Sequence, residues 1–337
     1  MVVGGSGEGV NRAKPTARSA VKRCCCYHDR VKLRPFLKWV GGKRQLLPEL
    51  RRYYPETIGR YFEPFVGSGA VFFDLLNRNQ LNGHGAVLGD DNADLIGCYR
   101  RVGHSLDAVL AELEPLADDH ARRGRDCYLQ VRDERFNPLR AAWRERGGHL
   151  DDYPAELAAM VIYLNRTGYN GLFRVNASGE FNVPPGRYDR PKILDRALLT
   201  AASQALASPH VTLQHAAFDR VLDEARAGDF AYFDPPYAPV SRTANFRGYT
   251  GRMFADADQS RLQEVVIALA RRGVHVVLSN STAPSVTALY EGNPAAAAAG
   301  LHTWRVDARR AVNSNPDKRG TVEELVVSNV RPRPVTA

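Results

Sequence analysis

Short apolar runs alternate with amphipathic segments along much of the chain. Tyr61-Phe62-Glu63-Pro64 reads as a short buried strand, Phe65-Val-Gly-Ser-Gly69 as a glycine turn, and Ala70 to Leu76 as the helix that follows. A second strand, Ala86-Val-Leu-Gly, ends on Asp90. From about Leu95 to Arg190 the regular alternation stops. Helical segments rich in Arg and Glu lead there into a polar, glycine-rich stretch around 165–187, which marks an insertion. Alternation resumes with strand Val211–His215, helix Arg220–Ala225, strand Phe230–Phe233, helix Gln259–Arg271 and strand Val274–Ser279. Leu301–Val306 and Leu325–Val327 suggest a closing hairpin, Gln45 to Tyr53 a short amphipathic helix, and Ala295–Ala299 a loop or frayed helix. Strands alternating with helices predict an α/β fold with a mainly parallel sheet covered on both faces.

A chain of 337 residues has room for one large domain and a smaller insertion. No apolar run approaches membrane-spanning length and no secretory signal is visible, so a cytoplasmic protein without a membrane partner is expected. Forty-six Lys and Arg against thirty-seven Asp and Glu leave a net charge of +9, which favours a polyanionic partner such as nucleic acid. Part of that excess crowds into residues 1–34, read as a disordered basic leader: a genuine extra arm, or a stretch preceding a true start nearer Val31. Cys24, Cys25 and Cys26 are consecutive and Cys98 and Cys127 isolated, which matches neither zinc spacing nor a disulfide framework.

Gly67 and Gly69 let backbone approach a ligand between strand and helix. Asp90, ending the next strand, stands about where Rossmann-type sheets place an acid for ribose hydroxyls; Asp91 competes for the role with poorer spacing. Two glycines rather than three suit a ribose-bearing cofactor without a pyrophosphate, and S-adenosylmethionine is such a molecule.

Asp234-Pro235-Pro236-Tyr237 ends a buried strand, where open α/β sheets bind ligands. An adenine amino group is a poor nucleophile because its lone pair is delocalised into the ring. A carboxylate from Asp234 accepting one N–H, and the Pro235 carbonyl accepting the other, favour a pyramidal nitrogen. The two prolines hold the turn rigid and Tyr237 stacks on the base. Such a reaction is chiefly alignment, and it requires neither a covalent enzyme intermediate nor a metal. An NAD-type oxidoreductase lacks support without a third glycine. A DNA-binding protein without turnover has no need of Asp234–Tyr237.

At these residues the chain resembles the Dam-type, D12-class adenine-N6 DNA methyltransferases. The likeness spans Phe36 to Ser328 through seven markers in register: Phe36-Leu-Lys-Trp-Val-Gly-Gly-Lys43, Glu63-Pro-Phe-Val-Gly-Ser-Gly69, Gly89-Asp-Asp-Asn-Ala-Asp-Leu95, Leu164-Asn-Arg-Thr-Gly-Tyr-Asn-Gly171, Gly179-Glu-Phe-Asn-Val-Pro184, Asp234–Tyr237 and Arg310-Ala-Val-Asn-Ser-Asn315. The resemblance implies a Rossmann-like S-adenosylmethionine-dependent methyltransferase fold. Residues 35–94 and 191–330 would form the catalytic domain, 95–190 a mainly helical inserted DNA target-recognition domain, and 331–337 a tail. It implies that Trp39 and Lys43 join Phe65, Gly67, Gly69, Asp90 and Asp234 around the cofactor. Lys38 and Arg174 would read guanines, the latter by a bidentate contact. Tyr169 and Asn170 would enter the stack beside a flipped adenine, and Leu172 and Pro184 would touch the outer pyrimidine. The implied target is GATC in double-stranded DNA, met by a monomer. Asp91, Thr167 and Pro185 depart from the family pattern.

Overall fold

The computed structural model describes residues 1–2, 4–5, 31–81, 83–238, 254–309 and 321–334. Cys24, Cys25, Cys26, most of the basic leader and the Arg310–Asn315 marker lie outside the described residues. The chain divides into Met1–Val31, in which Met1 and Val2 are exposed, and one compact body, Lys32–Ala337.

Seven strands build the sheet of that body: β1 (Tyr61–Glu63), β2 (Ala86–Asp90), β3 (Val211–His215), β4 (Phe230–Phe233), β5 (His275–Ser281), β6 (His302–Arg309) and β7 (Thr321–Ser328). Their order is β3-β2-β1-β4-β5-β7-β6. The first five are parallel, and β6 and β7 form an antiparallel hairpin whose second strand, β7, pairs with β5. Strand residues alternate between two apolar layers. Tyr61, Leu88, Phe230, Tyr232, Val277 and Val326 enter one, and Phe62, Val87, Ala231, Phe233, Leu278 and Leu325 the other. This period of two buries both faces of the inner strands, so β4 reads as a continuous apolar run, whereas the edge strand β3 buries only Leu213.

The helices are α1 (Leu47–Leu50), α2 (Ala70–Asn77), α3 (Ala93–His104), α4 (Leu106–Arg123), α5 (Arg125–Gln130), α6 (Asn137–Glu145), α7 (Ala155–Thr167), α8 (Arg196–Leu206), α9 (Val221–Glu224), α10 (Asp256–Arg271), α11 (Pro284–Tyr290) and α12 (Pro294–Ala298). Buried residues of α2 to α8 join the first layer, and those of α9 to α12 the second. A π-helical turn, Val131–Phe136, joins α5 to α6. Among the described residues no helix is long and apolar enough to cross a membrane.

Several elements differ in extent from the sequence expectation. The segment expected as one helix over Gln45–Tyr53 is a 3-10 turn, α1 and a second 3-10 turn, because Pro48 in the first turn of α1 has no N–H with which to continue the preceding turn. The segment Arg220–Ala225 begins as a 3-10 turn at Phe218 and leaves only Val221–Glu224 as α-helix. The Ala295–Ala299 run is helical because Asn293 accepts from the N–H groups of Ala295 and Ala296 at 2.9 and 3.1 Å, satisfying two of the helix's unpaired donors.

Candidate active site

β1 pairs with β2 on one side and β4 on the other, so the chain leaves these neighbouring strands in opposite directions across the sheet. A crevice opens at the carboxyl ends of strands at such a reversal. The glycine turn follows β1, and Asp234 follows β4. Two segments far apart in sequence therefore meet at one edge.

Gly67 and Gly69 adopt φ of 44° and 66°, a left-handed region that side chains disfavour, and Gly69 starts α2. A Cβ at Gly67 would lie 2.9 Å from Trp39 Cδ1, so the half-buried indole rests against the turn. Gly67 N donates to Asp90 Oδ2 at 3.2 Å, Asn92 N to Asp90 Oδ1 at 3.0 Å, and the Tyr99 hydroxyl to the Gly67 carbonyl at 3.1 Å. Burial pushes the Asp90 carboxyl up to about 7 against the pull of those backbone donors. Asp91 is exposed, which leaves Asp90 as the acid joined to the turn. Phe65 stacks on Phe218 with ring centroids 5.3 Å apart.

Lys43 is 6 % exposed, and its ammonium lies 2.8 Å from Asp234 Oδ1 while donating to the Gly41 carbonyl at 2.9 Å. Ser279 Oγ donates to the same Asp234 oxygen at 3.2 Å, and Tyr232 OH lies 2.9 Å from Ser279 Oγ. The Tyr237 ring stands under Lys43 at 4.5 Å, and its hydroxyl donates to Glu324 Oε2 at 2.6 Å. Burial pushes Asp234 up to about 6; Lys43 pulls it down and Glu324 opposes Lys43. Behind the run, Gln259 Nε2 donates to the Pro236 carbonyl at 3.3 Å and is itself held by Asn280 at 2.9 Å. Pro235 is buried, whereas Tyr237 is exposed, so the turn is fixed from beneath and open above.

Glu63, at the end of β1, is buried with its Oε2 accepting from Tyr61 OH at 2.9 Å and Phe72 N at 3.2 Å. Burial pushes it up to about 8, and the neighbouring Asp234 and Asp90 add to the rise. Sequence reasoning missed Glu63, Ser279 and Glu324 as site residues. An acid inside an otherwise apolar strand was a usable signal for Glu63. Ser279 and Glu324 reach the crevice through sheet register, which no local pattern reveals.

The loop after α7 gathers most of the residues expected to meet DNA. Lys38 Nζ donates to Tyr188 OH at 2.7 Å, and Asn170 N donates to the same hydroxyl at 3.2 Å. Asn170 has φ of 56°, and a Cβ on the next residue, Gly171, would fall 1.7 Å from the Lys38 carbonyl oxygen, so backbone packs on backbone there. Tyr169 N donates to the Pro184 carbonyl at 2.9 Å, and Leu172 N to the Tyr169 carbonyl at 3.2 Å. Arg174 belongs to a separate group: its Nε donates to Asn182 Oδ1 at 2.8 Å. Trp39 stacks on Phe173 at 5.9 Å, linking this loop to the glycine turn. Of the departures from the family pattern, buried Thr167 donates to the Tyr163 carbonyl at 2.6 Å and Pro185 bridges to Gly168.

Among the described residues no group of three or more His, Cys, Asp or Glu is placed to hold a metal ion. The geometry is a crevice with an ionisable acid, a rigid proline turn and an exposed aromatic ring beside a glycine turn. Residues 39–310 match the family described as D12 class N6 adenine-specific DNA methyltransferase. The chain is 36% identical to the Type II methyltransferase M1.LlaDCHI of Lactococcus lactis subsp. cremoris, covering 89% of this chain and 97% of that protein. It is 37% identical to the Type II methyltransferase M.MjaIII of Methanocaldococcus jannaschii over 89% of this chain and all of that protein. It is 36% identical to the DNA adenine methylase of Escherichia coli K12, over 88% and 95% of the two chains. This chain therefore belongs to the D12 class of N6 adenine-specific DNA methyltransferases, and it is an enzyme of that kind.

Proposed function

We propose that this enzyme uses S-adenosylmethionine to methylate adenine N6 in duplex DNA at GATC, after turning the adenine out of the helix. The observation that carries this reading is the meeting of the Asp234 turn and the glycine turn at the ends of adjacent strands. A base and a methyl donor held there stand within reach of one another.

The residues present fit the donor. A side chain at Gly67 would collide with Trp39, so the turn keeps open a cradle of backbone beside an indole face. Trp39, Lys43, Phe65, Gly67, Gly69, Asp90 and Asp234 would hold it, with Asp90 at the ribose and Trp39 at the adenine ring. When bound, S-adenosylmethionine supplies an electrophilic methyl group on sulfur.

The chain's own residues prepare the nucleophile. Asp234 accepts one hydrogen of the target amino group and the Pro235 carbonyl the other, drawing the nitrogen lone pair out of the ring. Lys43 opposes burial and keeps the Asp234 carboxylate ionised near neutrality. Tyr237, exposed above the turn, stacks on the base and excludes water from one face. Lys38 and Arg174 select guanines in the major groove, a readout that suits duplex DNA because the RNA major groove is too narrow for side chains. Tyr169 and Asn170 fill the space left by the adenine, and Leu172 and Pro184 contact the outer pyrimidine. Residues 95–190 act as the target-recognition part, and a cytoplasmic monomer that modifies one strand at a time suffices for this chemistry.

Incubation with labelled S-adenosylmethionine and duplexes differing only in GATC tests the proposal. Label is expected in GATC duplexes alone. Label in no duplex removes the donor and substrate assignment; label in duplexes lacking GATC removes only the specificity. Fluorescence of 2-aminopurine at the target position, expected to rise on binding, tests base flipping separately.

A further inference from the structure

Gly179 turns the chain with φ of 79°, and in the residues that follow the carbonyls of Gly179, Phe181 and Val183 are all taken by side chains of the adjoining helices. Arg140 Nη1 donates to the Gly179 carbonyl. Asn137 Nδ2 donates to the Phe181 carbonyl at 3.1 Å, and Phe181 N donates back to Asn137 Oδ1 at 2.9 Å. Arg132 Nη1 and Tyr128 OH both donate to the Val183 carbonyl, at 3.0 and 2.9 Å. The backbone groups between face the other way: Asn176 N donates to the Glu180 carbonyl at 2.8 Å and Asn182 N to the Arg174 carbonyl at 3.1 Å. A row of helix side chains thus replaces a neighbouring strand.

The fit has a geometric cause. Four residues of extended chain rise about 13 Å and the eight residues from Arg132 to Arg140 about 12 Å, so three helix side chains can span three alternate carbonyls. Arg132 and Asn137 are five apart, a spacing that an α-helix would turn away from one face. The π-helical turn Val131–Phe136, with its i to i+5 bonding, brings them into line.

Arg140 also reaches in the opposite direction. Its Nε donates to Asp94 Oδ2 at 2.6 Å, both side chains are at most 4 % exposed, and Tyr153 OH donates to Asp94 Oδ1 at 3.2 Å. Asp94 lies in the first turn of α3, capped by Asn92, whose own N–H is bonded to Asp90. One guanidinium joins the helix behind the cofactor turn to the turn of the hairpin whose two arms hold Arg174 and Pro184.

We infer that Asn137 and Arg140 are positioning residues for base selection, setting the register of the 174–184 hairpin relative to the methyl-donor crevice. This rests on the reading that Arg174 and Pro184 meet DNA. Neither positioning residue need touch a base: each acts through the hairpin backbone.

Steady-state methylation by the full-length enzyme tests this, using a GATC duplex and duplexes with one base pair replaced outside the target adenine. Arg140→Ala would strand the buried Asp94 charge and endanger folding. The variant of choice is therefore Asn137→Ala, with Arg140→Lys measured in parallel should Asn137→Ala fail to fold. The ratio of kcat/KM for cognate over substituted duplex is expected to fall about tenfold, with KM for S-adenosylmethionine unchanged. The Asn137→Ala, Arg174→Ala double variant is expected to discriminate no worse than Arg174→Ala alone. An unchanged ratio in a folded variant, or a fall matched by a rise in KM for the methyl donor, overturns the inference. Should Arg174→Ala itself leave the ratio intact, the base-reading role of the hairpin fails, and the positioning role with it.

Discussion

The ammonium of Lys43 lies 2.8 Å from one oxygen of Asp234 and 4.5 Å from the centre of the Tyr237 ring. One buried cation thus serves both the acid and the aromatic residue of the proline turn. Because the aspartate is pushed up to about 6, the ion pair sets how much carboxylate exists near neutral pH.

The carboxylate accepts an amino hydrogen far more strongly than the neutral acid, so kcat should fall as pH drops through about 6. Lys43→Met removes the group that holds Asp234 down and should move that fall to higher pH. Glu324→Gln removes an opposing negative charge and should move it lower. Profiles of kcat at saturating substrates between about pH 5 and pH 9 check both directions. Coincident profiles for wild type and Lys43→Met would assign the limb to another group.

Asp234→Ala should abolish methyl transfer while leaving DNA binding largely intact, since the residues proposed to meet DNA lie on other segments. Label incorporation and a gel mobility shift on the same protein separate the two. An active Asp234→Ala enzyme would refute polarisation of the amino group.

Burial pushes Glu63 up to about 8 in the fold against an ordinary 4.5, so the folded state holds a proton that the unfolded chain releases in between. Stability from this group is therefore complete below about 4.5 and is lost as pH rises through about 8. Asp90, at about 7, acts in the same direction. The unfolding midpoint in urea should decline over that window, and Glu63→Gln should flatten the decline. An equal slope in both proteins would move the effect elsewhere.

For Arg174→Ala, preference at one base pair should relax by about 1–3 kcal/mol. Competition between duplexes substituted singly at each position measures it. Uniform weakening across all positions would mean that Arg174 contacts the backbone of DNA rather than a base edge.

Much of the fold was legible because both layers bury whole strands. Phe230–Phe233 is buried throughout and reads as an apolar run, while the edge strand Val211–His215 buries only Leu213 and reads by alternation. The helix expected from Gln259 starts earlier, at Asp256, because the Asp258 side chain accepts from the Ala255 N–H at 3.0 Å and caps it. The glycine turn and the Asp234–Tyr237 run were legible since each is continuous in sequence. What escaped are partnerships made by the sheet: Ser279 and Glu324 enter through the register of β5 and β7. The parking of Lys38 on Tyr188 escaped too, being a contact between side chains distant along the chain.

The strand bearing Glu324 follows the other six along the chain, yet it slots between β5 and β6 rather than onto the margin of the sheet. A nascent chain stopped before Thr321 leaves the open border of β5 without its partner and the Tyr237 hydroxyl without its acceptor. The crevice is therefore complete only once β7 is in place, and fragments ending before it should be both inert and prone to self-association through that bare border.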